Sequence, residues 1–402
     1  MVDWAKGEMK GAEYMESKKS IVVAVPCSDY ESEKIYEAVR TGIDTLGGMA
    51  AFLRPEEKVL VKPNLLKPAD ADTAVTTHPT VLCAVLRMLQ EYGCGDVRFG
   101  DSSGFDNGTH ALERLGFRAD EPVFGARLAP MNEEVHVAFP EGMAEKEFWF
   151  AKEVTEADAI INVCKMKTHA LMKITGAVKN PFGLICGSRK ARQHVRFPNE
   201  GVFARQLADI HRCVKPRLHI MDAVVAMEGN GPGSGTPRQM GLLLFSSDPV
   251  ALDAVFCALV HLDPQGVQTN VQGEIMGLGT WRSENIELKL AKPDGSPAVT
   301  MPVSAFADAY GVRDFELIRG NPSALGKALA VVDRFAHRPV IHADRCVHCG
   351  ICVAHCPVPG KALSFRNGKD KPPVYDRKKC IRCYCCQEMC PQKAITAGRH
   401  GK

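Results

Sequence analysis

Between Asp158 and Glu200 the chain has no acidic residue, although 47 Asp and Glu are spread over its 402 residues. Lys165, Lys167, Lys173, Lys179, Arg189, Lys190, Arg192 and Arg196 all fall in that gap, and the acids that would pair with them at i, i+4 are missing. Other absences exclude whole classes of function. The opening MVDWAKGEMKGAEYMESKKS lacks the apolar core of a secretory signal, and no later window supplies the about 20 apolar residues of a membrane span. A cytoplasmic protein with no membrane partner is expected. There is no Walker A loop, no HExxH and no Ser-His-Asp spacing, which sets aside P-loop kinases, zincins and serine hydrolases. The glycine loop GNGPGSG (229–235) lacks the GxGxxG register and the helix after it, and is weak evidence for a nucleotide. Aromatic residues are only 7% of the chain. The basic C-terminal stretch has Phe365, Tyr375 and Tyr384 but no aromatic interleaving, so no nucleic-acid partner is expected.

What is abundant is cysteine, with 16 residues. In a chain of this length with no secretory opening they point to metal rather than to a disulfide scaffold. Eight form two copies of CxxCxxCxxxCP: Cys346, Cys349, Cys352 and Cys356, then Cys380, Cys383, Cys386 and Cys390, offset by 34 residues. In this spacing three thiolates each bind one iron of a 4Fe-4S cube and the fourth, turned away by the following proline, crosses to the cube of the other repeat. The expected ligand sets are therefore Cys346, Cys349, Cys352 with Cys390, and Cys380, Cys383, Cys386 with Cys356. Tetrahedral zinc, which takes ligands in two separated pairs, fits the pattern poorly. Leu363 and Ile395, at matching places after each repeat, are expected to pack over the clusters, and RNGKDKPP reads as a hairpin loop between the halves. Cys385 is a ninth cysteine here, either a buried small residue or a spare thiol.

Upstream, short β-rich runs alternate with amphipathic stretches, the pattern of an α/β layered domain with a largely parallel sheet. Strands are expected at 21–25, 58–62, 96–100, 159–163, 217–221 and 241–245, with helices at 31–49, 79–92, 107–115, 202–213 and 249–260. The chain then divides into an N-terminal extension (1–19), the α/β body (20–319), a connector (320–338) and a small α+β ferredoxin-like domain (339–402). Residues 339–402 hold 12 Lys and Arg against 4 Asp and Glu, a balance of +8 that leaves −5 for the rest. Polar residues collect just after the strands, where open α/β sheets place their ligands.

Taken together, VKPNLL, GDSSG, NVCKMKTHALMKITGAVKNPFGLICG, MDAVVAMEGNGPGSG and SSDPVALDAV resemble the iron-sulfur-centre family catalogued as domain of unknown function 362, over roughly residues 20–320. The ferredoxin pair is a common companion in that family. The resemblance implies an intracellular protein of anaerobic or redox metabolism and carries no catalytic assignment.

The acid-free gap begins at the end of a core strand. By the period of two, Lys165, Lys167 and His169 continue the face of Ile161 and Val163 past the sheet edge. If ALMKITGAVKN turns helical, Lys173 and Asn180 share a side. A solvated basic face is the ordinary fate of such a run. The missing acids, the apolar interleaving and Gly176, Gly183 and Gly187 instead favour an anion site. Candidate catalytic residues are His169, Lys165, Lys167 and Asp101; candidate ligand-binding residues are Lys62, Asn64, Ser102, Ser103, Lys179 and Asn180. Asp222, Glu228, Asp248 and Asp253 are further acids, each a catalytic group or a cap.

The expectation is an iron-sulfur oxidoreductase: two 4Fe-4S clusters relay electrons, and the body binds an anionic small molecule. A flavin is open, since nothing in the sequence is a flavin signature. The basic tail suits an acidic electron-carrier protein such as a ferredoxin or flavodoxin. Two alternatives stand beside this one: an electron-transfer or assembly module whose body docks a partner, and a non-redox enzyme with structural clusters.

Overall fold

The computed structural model describes residues 19–103, 108–187, 189–197, 199–317, 338–366 and 368–398. The N-terminal extension, save Lys19, and the connector, save Arg338, lie outside the described residues, as do residues 104–107 of the loop after GDSS.

The body opens with three β-α units: β1 (Ser20–Pro26) and α1 (Ser32–Thr45), β2 (Lys58–Lys62) and α2 (Pro79–Tyr92), β3 (Asp96–Phe99) and α3 (Thr109–Arg114). In α1, Ile35, Val39 and Ile43 recur at four-residue spacing and are buried, the stripe that ties a helix to a sheet. The second unit's helix is bounded by Pro79 in its first turn and by Gly93 at φ 94°, a left-handed cap that glycine adopts without steric cost. β4 (Arg127–Leu128) comes next, then a hairpin of β5 (Glu134–Ala138) and β6 (Glu147–Ala151), and α4 (Lys152–Glu156). After these lie β7 (Ala159–His169), β8 (Lys173–Thr175), α5 (Arg189–Arg196), α6 (Glu200–Val214), β9 (Leu218–Glu228), β10 (Thr236–Ser246), α7 (Pro249–Leu259) and α8 (Gln268–Ile275). β11 (Ile286–Leu290), β12 (Val299–Met301) and α9 (Val303–Tyr310) complete the body.

Ten of its strands, all but β5 and β6, form one sheet in the order β12-β11-β1-β10-β9-β7-β2-β3-β4, with β8 paired to β7. β1, β11, β9, β7, β2, β3 and β4 run one way; β12, β10 and β8 run against them. The sheet is thus largely parallel, as expected, with antiparallel insertions. Alternation divides its side chains between two helical layers. Val59, Val61, Ile161, Val163 and Ile220 face α1 and α2. Cys164, Met166 and Met221 face α7 and α9, and Leu60 and Ile160 face α6 and the β5–β6 hairpin. Among the described residues no helix is long and apolar enough to cross a membrane.

β7 is longer than the apolar run that announces it. All 11 of its residues are buried, lysines included. Its first half pairs in parallel with β2 and β9; between Lys165 and Lys167 the register with β9 shifts, and the last residues pair with β8 as a hairpin. The segment read as a possible helix therefore returns as a strand and ends in a 3-10 turn at Asn180–Leu184. Lys173 sits at φ 67°, which interrupts any helix, and the buried Asp253 carboxylate accepts the amides of Ala177 at 2.6 Å and Val178 at 3.1 Å, pinning the backbone beyond it.

The C-terminal domain comprises β13 (Arg338–Ile341), α10 (Ile351–Ala354), β14 (Leu363–Ser364), β15 (Val374–Tyr375), α11 (Cys385–Glu388) and β16 (Ile395–Gly398), with β13 paired to β16 and β14 to β15. It rests on the β9–β10 turn. Gln387 Nε2 donates to Asn230 O at 3.0 Å and Gly231 O at 3.1 Å, and Asn230 Nδ2 donates to Ile395 O at 3.0 Å. The glycine loop GNGPGSG thus carries the small domain. An added Cβ at Gly231 would lie 2.2 Å from Thr168 O, so only glycine lets this turn close onto β7.

Candidate functional site

The two cysteine repeats fold alike. His348 and Arg382 have positive φ at matching positions, as do Gly350 and Tyr384, and Lys361 and Lys393. The Ala362 amide donates to Cys356 Sγ and the Ala394 amide to Cys390 Sγ, each at 3.3 Å. Cys352, Cys356, Cys386 and Cys390 are buried in one apolar cluster with Leu363 and Ile395, the two expected lids. Burial pushes the Cys352 thiol up to about 11, and the thiols that push with it are Cys390, Cys349 and Cys346. Cys386 is raised by burial and then by Cys383, Cys380, Cys352 and Cys356. These groupings contain the two crossed ligand sets. Cys356, Cys380, Cys383 and Cys386 wall one cavity, with Leu363 and Tyr384 among its other walls. Buried thiols that raise one another fit an iron-sulfur core, whose positive charge replaces their protons.

A second cavity, of about 410 Å³, lies where this domain meets the body. The body supplies Lys62, Asn64, Asp101, Ser102, Ser103, Lys179, Asn180, Lys190 and His194; the small domain supplies Ala354, Cys356, Pro357, Cys385, Glu388 and Met389. The strand-end rule places these side chains. Lys62 ends β2, Asp101 lies just past β3, and Lys179 and Asn180 lie just past the β7–β8 hairpin.

One wall is a fixed polar network. Lys62 Nζ pairs with Asp101 Oδ1 at 2.9 Å and donates to Asn180 Oδ1 at 3.0 Å, both ions being almost wholly buried. Asn64 Nδ2 donates to the same oxygen at 2.9 Å, and Asn180 Nδ2 to Asn162 Oδ1 at 2.7 Å. Asp101 Oδ2 accepts the Leu65 amide at 2.7 Å. Gly183 closes over the pair: an added Cβ would sit 1.9 Å from Asp101 Oδ1 and 2.7 Å from Lys62 Nζ. Ser102 contributes its hydroxyl to the Gly187 amide at 3.0 Å and its carbonyl to Lys190 Nζ.

The other wall is less committed. Lys179 pairs with no acid among the described residues and lies over the Phe182 ring, 5.6 Å from its centroid. Burial pulls its ammonium below the usual range, against Glu388. Lys190 is 9% exposed and burial holds it at about 8, despite Asp101 nearby. His194 is 5% exposed, its Nδ1 has no hydrogen-bond partner, and burial lowers it to about 4, so the ring is neutral at pH 7. It stacks on Phe203 with centroids 4.6 Å apart.

The lysines that end the core strand stand behind this cavity rather than in it. Lys165 Nζ meets Asp222 Oδ2 at 2.7 Å and donates to Tyr30 Oη at 2.8 Å. Lys167 Nζ donates to Asn64 Oδ1 at 2.7 Å and Val75 O at 2.8 Å, and burial depresses its ammonium strongly. Through Asn64 it supports the cavity wall. His169 Nδ1 accepts the amides of Leu171 and Met172, and its Nε2 faces Glu388 Oε1 at 3.3 Å. Burial raises the Glu388 carboxyl, yet His169, Lys179 and His194 outweigh it and hold the group at about 2. One anion that meets the acid-free segment is therefore Glu388 of the chain's own ferredoxin domain.

The remaining acids have structural duties. Asp222 pairs with Lys165, Glu228 accepts the Glu316 amide at 2.9 Å, Asp248 caps α7 through the Val250 and Ala251 amides, and Asp253, raised by burial to about 7, holds residues 177 and 178. His194 and Glu388 escape the sequence reading. The first carries one signal, its i, i+4 spacing from Lys190 on α5; the second carries none beyond its place between two ligand cysteines.

The family model described as domain of unknown function (DUF362) matches residues 59–258, and a 4Fe-4S dicluster domain matches residues 338–394. The thylakoid-associated protein sll1697 of Synechocystis sp. strain PCC 6803 is 34% identical over 264 residues, covering 63% of this chain and 79% of that protein. Two solved structures are more distant. A Thermotoga maritima protein is 15% identical over 55% of this chain and 56% of its own, with a TM-score of 0.34. The lactate racemase apoprotein of Thermoanaerobacterium thermosaccharolyticum is 12% identical over 57% and 55%, with a TM-score of 0.36. The chain thus spans little more than half the length of either structure. On the matches to its body and tail, the chain belongs to the DUF362 family and is an iron-sulfur protein with a C-terminal 4Fe-4S dicluster domain.

Proposed function

We propose that this chain is an oxidoreductase acting on a small anionic molecule bound between its two domains, with two 4Fe-4S clusters held by Cys346, Cys349, Cys352 and Cys390 and by Cys380, Cys383, Cys386 and Cys356. The observation that carries the reading is the cavity of about 410 Å³, which has Lys179, Lys190 and His194 on one side and the cluster cysteine Cys356 on the other. That volume falls in the range of small-molecule sites, about 300–1,000 Å³. The clusters supply one-electron reduction or oxidation, at potentials that across proteins span roughly −700 to +450 mV.

The chain's own residues do the binding and positioning. Lys179 and Lys190 hold the anionic group, because no acid among the described residues pairs with either. His194 offers Nδ1 as a hydrogen-bonding or proton-carrying atom to the ligand. The Lys62–Asp101 pair with Asn64 and Asn180 keeps that wall in place, Lys165 and Lys167 support it from behind, and His169 fixes Glu388 and hence the docked domain. Pro357 and Met389 add apolar surface to the cavity wall.

The test uses anaerobically isolated protein. Native mass spectrometry counts the clusters and identifies any retained metabolite. Dithionite-reduced protein is then offered that metabolite, and reoxidation by it supports the reading. Reoxidation only by another protein indicates an electron-transfer module, and clusters that never change oxidation state indicate a non-redox enzyme. Lys179→Met is expected to abolish reoxidation by the small molecule with cluster content unchanged.

A further inference from the structure

Three hollows adjoin one another at the ferredoxin domain. The first is the interdomain cavity. The second is the cage of Cys356, Cys380, Cys383 and Cys386, which shares Cys356 with the first. The third is an open groove of about 770 Å³, which shares Ile341, Ala362 and Tyr375 with the cage and Lys361 with the interdomain cavity.

The groove has the makeup of a docking surface for a negatively charged protein. Lys361, Arg366, Arg377 and Lys379 line it, and all four are exposed. Among the described residues the one carboxylate on its walls is Asp376, whose Oδ1 accepts the Lys378 amide at 2.8 Å. Pro372, Pro373 and Val374 form an apolar strip between the cations, and Val374 is 43% exposed. An apolar centre with a charged rim is the anatomy of a protein interface, and an open groove this size is poorly shaped to retain a small ion. The other ligand set differs. Val347, next to Cys346 in the sequence, is 60% exposed, and Arg345 already faces Asp344 at 3.7 Å.

We propose that this groove is the docking site of an acidic one-electron carrier protein, and that the cage of Cys356, Cys380, Cys383 and Cys386 is the relay between carrier and cavity. The exchange moves one electron and no atoms: the reduced carrier loses the electron that the caged centre gains, or the reverse. The far end of this path rests on the redox reading of the cavity, whereas docking does not need it. Complementary charge acts chiefly on the rate of encounter, by about 10- to 1,000-fold, and weakens with salt.

The experiment uses the holoprotein and an oxidised acidic flavodoxin as the probe. Affinity is measured by calorimetry at low and at physiological salt, and the contact is mapped by zero-length carbodiimide cross-linking and mass spectrometry. The expected results are salt-sensitive binding, cross-links at Lys379, and a loss on the order of tenfold in affinity for Arg366→Glu with Lys379→Glu. Cluster absorbance reports whether that variant is intact, and Lys58→Glu on the body, remote from the groove, serves as a second variant expected to bind normally. Unchanged affinity in the groove variant, cross-links confined to the body, or no binding by the unmodified protein would each overturn the proposal. The two readings fail separately: without docking, small-molecule reoxidation of the dithionite-reduced protein persists, and without a cavity ligand the flavodoxin still binds.

Discussion

Lys165→Met separates a lysine that builds the site from one that touches its ligand. The substitution removes the ammonium from an ion pair whose side chains are 1% and 0% exposed, with Nζ 2.7 Å from Asp222 Oδ2. Asp222 keeps three donors: Tyr30 Oη at 2.8 Å, the His78 amide at 3.0 Å and the Val224 amide at 3.3 Å. Removing one partner of a buried pair costs about 3–5 kcal/mol, and three surviving donors place this case near the lower end, at about 3 kcal/mol. At about 2.1 cal/mol/K of unfolding entropy per residue, a body of about 300 residues loses about 1.6 °C of melting temperature per kcal/mol, so a fall of about 4–5 °C is expected in the far-ultraviolet dichroism melt. Lys165→Met with Asp222→Leu should recover most of that loss, because no uncompensated charge is left. At temperatures where the single variant is folded, its affinity for oxalate or phosphate should stay within a few-fold of the unmodified protein. A variant that melts normally but no longer binds anions would refute the reasoning and put Lys165 against the ligand.

Two further outcomes test the cavity walls. Burial holds the Lys190 ammonium at about 8, so its charge is lost as pH rises through that value; oxalate or phosphate affinity measured by calorimetry should fall above about pH 8 in the unmodified protein and lose that step in Lys190→Met. A flat profile from pH 7 to 9 in the unmodified protein would remove Lys190 from the site. Gly183→Ala forces a methyl group onto Asp101 and Lys62 and should cost about 1–3 kcal/mol in chemical denaturation while weakening anion binding. Gly95→Ala, where the added Cβ meets nothing within 4 Å, is its control, and equal effects at the two positions would show that the Lys62–Asp101 pair does not need the space at Gly183.

Short-range patterns along the chain were enough to place several of its parts. Hydrophobic period located β2 at Lys58–Lys62 and α2 at Pro79–Tyr92, because a run of alternating or four-spaced apolar residues can bury itself in few ways. The cysteine spacing likewise marked the 4Fe-4S dicluster domain, since the reach of three thiolates two residues apart is a local property. The extent of β7 was less legible. Its last residues are lysine, threonine and histidine, and they are strand only because β8 and β9 pair with them. Which cations are already neutralised was not legible at all. Asp222 lies 57 residues from Lys165, and Glu388 lies 219 residues from His169, so neither pairing leaves a mark in the local pattern. An acid-free segment therefore looked uniformly cationic, whereas in the fold Lys165 is neutralised by a distant carboxylate and Lys179 and Lys190 are not. Burial sharpens that difference, because a charge removed from water needs its partner in direct contact, and only the three-dimensional path of the chain brings that partner there.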